Sequence, residues 1–244
     1  DVSGRGLVVT IAGMAATGVN ADWYREVLCV ATSTSESATG WNTFFKDLVA
    51  VGLNGVALVT SDAHAVFVEA IGANLPGASW QRCRTHYTVN LMSTCPKHAW
   101  GGVKAMLHSV FDQIDADAVH AQYDKLLDSV QSLPEVHAHL DAAQEEILAF
   151  TNFPRGLWRQ IWSNNPNERL NREIRRRTDV VGIFPDRGSV IRLIGAVLAE
   201  QNDEWADGRR YLGLDVLSRS RLALITSTTN QNQEATTTII AISA

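Results

Sequence analysis

Nowhere in the 244 residues does an apolar run reach the roughly 18 to 20 residues that a bilayer-spanning helix needs, and no basic-then-apolar leader opens the chain. A cytoplasmic protein with no membrane partner is the expectation. Cysteine is scarce: Cys29, Cys83 and Cys95 are three, an odd count that argues for reduced thiols and against a disulfide framework. A surplus of positive charge is missing too, since the formal net charge is -5. The total matters less than its distribution. Acidic residues gather between Asp112 and Glu146 while arginines concentrate between Arg155 and Arg177, and a local basic face suffices to attract a phosphate backbone. An initiator methionine is also lacking, and a chain starting at Asp1 reads as a fragment or a processed form. The 45% hydrophobic content is enough for one large domain, or a core domain with an insertion.

The amino-terminal third alternates strands and helices. Leu7 to Ala16 is rich in small and β-branched residues and predicts a strand, ended by Gly18 and Asn20; Trp23 to Ala31 predicts its antiparallel neighbour. Ser35 or Ser37 caps a helix whose buried stripe is Trp41, Phe44, Phe45, Leu48 and Val49, and Gly52 and Gly55 stop it. Val56 to Thr60 is a short continuous apolar run, the pattern of a strand buried on both faces. Asp62 lies just past its end. Ligands collect beyond strand ends in open α/β sheets, which makes Asp62 a candidate site residue; the plain alternative is an N-cap for the helix from His64 to about Asn74.

Ala78 to Arg82 predicts another short strand, followed by Cys83-Arg84-Thr85-His86 and later by Cys95-Pro96-Lys97-His98. Paired thiolate and imidazole invite a zinc reading. Structural zinc more often sits on CxxC turns, however, and Pro96 marks a loop, so a packed thiol with His86 hydrogen-bonded to a neighbour is expected. From Thr88 to Phe150 the pattern is almost all helical, with a break at Ser132 to Glu135, and its apolar stripes need partners. His137 and His139 are expected in solvent. Phe153, Trp158 and Trp162 are read as core, with stacking on an unpaired base as the functional alternative. Val190 to Trp205 is amphipathic and is expected across a sheet edge. The Thr/Asn/Gln-rich tail beyond Arg221 is expected to be disordered.

The most informative stretch is Ser163 to Pro185, SNNPNERLNREIRRRTDVVGIFP. It predicts a helix with Asn165 as N-cap, Pro166 at the first helical position and Glu168 completing a capping box. Helical spacing aligns Glu168 with Asn171, Arg172 and Arg175, while Arg169, Arg176 and Arg177 widen the positive surface. A carboxylate there can hold a metal, and guanidinium forks match phosphate oxygens. The structural alternative is a solvated helix with pairs Glu168/Arg172 and Glu173/Arg177, each contributing roughly 0.2 to 0.5 kcal/mol.

This string, with WRQIW before it, resembles the signature of the Mutator-type transposases of bacterial insertion sequences, which are DDE enzymes. The resemblance extends from about Val8 to Leu217, and SDAH around Asp62 matches the segment holding the family's second catalytic aspartate. It implies an α/β fold, a ribonuclease H-like sheet with an all-α insertion before the last catalytic helix. The corresponding division is 1–87 for the first part of the core, 88–152 for the insertion, 153–217 for the remainder and 218–244 for the tail. It implies Asp62 and Glu168 as catalytic and metal-binding residues, with Mg2+ or Mn2+ as cofactor. It further implies DNA contacts by Arg169, Arg172, Arg175, Arg176 and Arg177, a CxxH motif of unclear role at Cys83 and His86, and DNA and a second copy of the chain as partners in the bacterial cytosol. The family's first aspartate belongs to a DAT-like motif that this chain lacks, so an amino-terminally truncated transposase, unable to transpose by itself, is expected. A catalytically inactive remnant that binds DNA or dimerises, and a ribonuclease H-like nuclease outside transposition, are the alternatives.

Overall fold

The structure, a computed structural model, describes residues 2–4, 7–9, 12–19, 25–33, 37–207 and 238–243. The segment expected as one strand from Leu7 to Ala16 is divided. A small antiparallel hairpin joins β1 (Val2–Gly4) to β2 (Leu7–Val9), and β3 (Ala12–Val19) then enters the main sheet beside β4 (Arg25–Ser33). Asn20, Trp23 and Ser35 fall outside the described residues.

Ser37 caps α1 (Ala38–Ala50), its side chain accepting from the Gly40 amide at 3.2 Å. The stripe Trp41, Phe44, Phe45 and Leu48 is buried, and Trp41 meets Phe67 of α2 (Ala65–Asn74) edge to face with ring centroids 4.6 Å apart. The helical period assigns Val49 to that stripe, yet it is 43% exposed, because the four larger side chains already occupy the face turned to the sheet. Gly52 and Gly55 adopt φ of 109° and 62° in the turn leading to β5 (Val56–Ser61). Leu58 and Val59, neighbours on β5, belong to different cores and are both fully buried, as the continuous apolar run predicts. Beyond α2 comes β6 (Ser79–Arg82), parallel to β5.

A block of helices follows: α3 (Arg84–Thr94), α4 (Trp100–Phe111), α5 (Ala116–Ser129), α6 (Pro134–Leu148) and α7 (Trp158–Ile161). Their stripes, among them Leu91, Leu107, Tyr123, Leu126, Leu140 and Ile147, close with Phe150 on one another and on Leu58. The partner they required is therefore the sheet of the same chain. Each such side chain contributes roughly 1.5 to 3 kcal/mol by leaving water, so this cluster is the main source of cohesion between helices and sheet. Gln81 sews the same junction from inside. Fully buried, it donates to the Ile147 carbonyl at 3.0 Å and accepts from the Phe150 amide at 2.7 Å. Trp158 and Trp162 join this core, with the Trp158 indole donating to the Phe153 carbonyl at 2.7 Å. His139 does not stand in open solvent as expected; its ring lies 5.3 Å from that of Tyr87.

The chain continues through α8 (Asn165–Val181) and α9 (Arg187–Asp207). Val190, Ile194 and Leu198 pack with Leu170 and Phe184 against Val27 and Val30 of β4. Residues 208–237 fall outside the described residues. The disorder expected for 218–244 is corrected at its end, where Thr238–Ser243 forms β7, antiparallel to β3 and parallel to β5. The local sequence TIIAIS is β-branched and suits a pleated sheet; the polar composition of the segment before it obscures this. The sheet order is β4-β3-β7-β5-β6. The result is a mixed α/β fold, mostly helical, in which β4 and β6 are edges and β5 ends beside the start of α3. No described helix is long and apolar enough to cross a membrane.

Candidate functional site

The carboxyl end of β5 is held firmly. The Trp80 indole donates to the Ser61 hydroxyl at 2.9 Å, which in turn donates to the Asp62 carbonyl at 2.9 Å. Asp62 follows with its carboxylate 56% exposed. It does not cap α2, whose N-cap is His64 and whose first turn receives no side-chain bond. Instead its Oδ1 lies 2.9 Å from Nδ1 of His86.

His86 stands in the first turn of α3, and the 83–86 segment starts where β6 ends. The Cys83 amide donates to the Ser61 carbonyl at 2.7 Å, which anchors that turn beside Asp62. The other ring nitrogen, Nε2, lies 3.6 Å from Oε1 of Glu168. One imidazole thus spans carboxylates from two distant segments. At 2.9 Å, His86 and Asp62 form an ion pair. Proximity to Asp62 first, and to Cys83 second, outweighs burial and pushes the His86 pKa up to about 10. At neutral pH the ring is a cation facing two acids.

Glu168 reaches this place because α8 begins in an unusual way. The N-cap is Asn164, one residue earlier than expected, and Pro166 stands in the first turn. Neither asparagine side chain caps the helix. The Asn164 Oδ1 accepts from the Cys83 thiol at 2.9 Å, and the Asn165 Oδ1 accepts from the Thr85 hydroxyl at 3.0 Å. Forgoing a side-chain cap costs about 0.5 to 2 kcal/mol of helix stability, so these tertiary bonds outcompete the local one. Sequence reasoning does not single out Thr85 or Asn164. Two potential caps in succession, one more than a helix needs, are the available sign. Deeper in the helix, Asn167 is buried and its Oδ1 accepts from the Thr17 hydroxyl at 2.6 Å, tying α8 to β3.

The arginines divide into two sets. The Glu168/Arg172 pair expected from spacing does not form, because Glu168 faces His86. Glu173 pairs with Arg176 at 2.7 Å and Arg177 at 2.9 Å, and Arg177 reaches Glu200 of α9 at 2.6 Å. The two guanidinium groups, Arg176 first, hold the Glu173 carboxyl down to about 2. Arg176 and Arg177, expected at DNA, are thus engaged in joining α8 to itself and to α9. Arg169, Arg172 and Arg175 are exposed and have no ion-pair partner among the described residues. A further guanidinium, that of Arg84, lies 4.8 Å from the ring of Phe111 and 4.7 Å from that of Trp162, over the indole considered for base stacking.

The α/β chain thus sets acids from the end of β5 and the start of α8 on either side of one imidazole, with three exposed guanidinium groups further along α8, and comparison of the sequence gives its class. Residues 1–208 match the model for "Transposase, Mutator family", and the chain belongs to that family. It is 61% identical over 234 residues to the "Transposase for insertion sequence element IS1081" of Mycobacterium tuberculosis, covering 96% of this chain and 56% of that protein. It is 36% identical over 222 residues to the ISRM5 transposase of Rhizobium meliloti, covering 90% of this chain and 56% of that protein. With the IS256 transposase of transposon Tn4001 in Staphylococcus aureus it shares 34% over 204 residues, 82% of this chain and 52% of that protein. The chain therefore spans about half the length of the curated relatives it matches.

Proposed function

We propose that the complete protein is a DDE transposase that cuts and joins DNA at insertion-sequence ends, and that Asp62 and Glu168 are two of its metal-binding carboxylates. The observation that carries this reading is the meeting of those two acids on the two nitrogens of His86. The ribonuclease H-like assignment draws support from the mixed sheet with helices on both faces, and the all-α insertion from a strand-free run of helices that opens with α3 at Arg84, four residues before the expected boundary.

Both acids are hard oxygen donors open to solvent, at 56% and 38% exposure, and so fit Mg2+ or Mn2+. In the two-metal mode such ions stabilise the attacking and leaving oxygens of a phosphodiester during in-line displacement. Asp62 and Glu168 would supply negative charge at fixed positions, β5 and α8 being joined through the 83–86 segment. Arg169, Arg172 and Arg175 would hold phosphates along the same helix as Glu168. Arg176 and Arg177 would contribute by keeping α8 straight against α9.

The reaction calls for a third carboxylate beyond these two, and the chain spans about half the length of its relatives, so strand joining is assigned to the complete protein. A strand-transfer assay with Mg2+ and a duplex ending in the element's terminal repeat tests this on the chain and on a form extended upstream. The extended form should give product that disappears on Asp62→Asn or Glu168→Gln. Product from either variant at the parental rate would refute the assignment. The exposed Arg169, Arg172 and Arg175 alone favour a second reading, a DNA-binding remnant, for which the extended form would bind duplex and never nick it.

A further inference from the structure

The Cys83-Arg84-Thr85-His86 segment has no assigned task, yet each of its residues reaches the segment that starts α8. The Cys83 thiol donates to Asn164 Oδ1 at 2.9 Å, the Arg84 amide to the Trp162 carbonyl at 2.8 Å and the Thr85 hydroxyl to Asn165 Oδ1 at 3.0 Å, while His86 Nε2 faces Glu168 at 3.6 Å. Four consecutive residues thus meet a stretch running from 162 to 168. The other side of the same segment is fixed to β5, because the Cys83 amide donates to the Ser61 carbonyl at 2.7 Å. Cys83 and Asn164 are both buried, where an unmatched polar group is costly, so their bond is specific and not incidental. Both asparagines give up the capping role their position offers, which means the tertiary bonds set where the helix begins.

We propose that this CxxH segment is a positioning clasp: it fixes the first turn of α8 against the end of β5, and thereby sets the separation of the Glu168 and Asp62 carboxylates. Cys83 and Thr85 are positioning residues that act through Asn164 and Asn165; neither needs to touch a substrate. The clasp explains why a thiol stands at 83, since a small, weak donor fits a buried place facing an amide oxygen. It also explains why Thr85, exposed on α3, has a hydroxyl turned to α8. The consequence for the metal rests on the reading of Asp62 and Glu168 given above; the clasp itself does not.

Amide hydrogen exchange on the full 244-residue chain tests it, with Mn2+ titration as a second and independent readout. The variants are Cys83→Ala, Cys83→Ser and Thr85→Ala. Exchange at the Asn167 and Glu168 amides should accelerate at least about tenfold in Cys83→Ala and in Thr85→Ala, with protection in α4 to α6 unchanged. Cys83→Ser, which keeps a donor, should restore most of the protection. Mn2+ affinity should fall in parallel. Unchanged exchange at Asn167 and Glu168 would overturn the clasp, and so would an equal acceleration in α4 to α6, which would mean general loosening only. Should Cys83→Ala fail to fold, the surface change Thr85→Ala still decides the matter. Faster exchange in the first turn of α8 with unaltered Mn2+ affinity would support the clasp and overturn the metal assignment, so the two failures are distinguishable.

Discussion

Glu168 lies 3.6 Å from Nε2 of His86 and makes no pair with Arg172, its neighbour one turn along the same helix. A helix whose acid existed only to stabilise it would form the local pair, as Glu173 does with Arg177 at 2.9 Å. Two glutamates on one helix thus have different tasks, one supporting α8 and the other facing Asp62 across an imidazole.

The raised pKa of His86 gives a pH dependence with a definite sign. Its proton is held in the folded chain up to about 10, against an ordinary value of 6.5. The stabilisation is fully present below the ordinary value and is lost as pH rises through the folded one. Metal-free protein should therefore lose thermal stability progressively between about pH 6.5 and 10, with the His86 ring resonances titrating near the upper limit. His86→Gln should flatten that dependence. A His86 titration near its ordinary value would refute the ion-pair assignment.

Charge reversal separates the two sets of arginines. Arg172→Glu with Arg175→Glu should weaken duplex binding and lower the salt-dependence slope by about 0.9 for each phosphate no longer neutralised. Arg177→Ala removes the link to Glu200 and should act on the packing of α8 against α9, seen as a lower melting temperature with a smaller change in slope. Equal effects of both changes on the slope would contradict the division.

Gln81 offers a test of the junction between sheet and helices. Gln81→Leu leaves the Phe150 amide and the Ile147 carbonyl buried without partners, at about 1 to 3 kcal/mol for each. Denaturant unfolding should show this loss. A neutral Gln81→Leu would mean that the junction is wet.

Strand β7 lies between β3 and β5, with Ile240 registered to Gly18 on one side and to Val59 on the other. Proline cannot donate to a sheet ladder and is confined to edges, so Ile240→Pro should disrupt the sheet and lower the cooperativity of unfolding. Native-like unfolding of this variant would exclude a central position for β7.

What the sequence reveals depends on how local each signal is. A serine cap at 35 or 37, the aromatic stripe of α1 and the doubly buried β5 follow from spacing and neighbouring residues alone; that the cap is Ser37 comes from the structure. The start of α8 lies one residue earlier than its local pattern suggests, because the caps are diverted to Cys83 and Thr85, which are distant in sequence. Val49 fits the helical period but not the available width of sheet. β7 is hidden by the polar composition around it. Asp62 and Glu168 are linked through family resemblance; spacing alone leaves each with an ordinary helix-start explanation. The place of His86 between them has no sequence signal at all, since no periodicity relates a strand end, a CxxH turn and a helix start.

That Asp62 and Glu168 form one metal site is tested most directly by crystals of the chain soaked in Mn2+ and measured for anomalous scattering. The His86 ring is predicted to move out from between the carboxylates, with an anomalous peak within about 2.0 to 2.6 Å of an oxygen of each, absent in Asp62→Asn with Glu168→Gln. Mn2+ located elsewhere, or the two carboxylates turned apart with no ion between them, would contradict it.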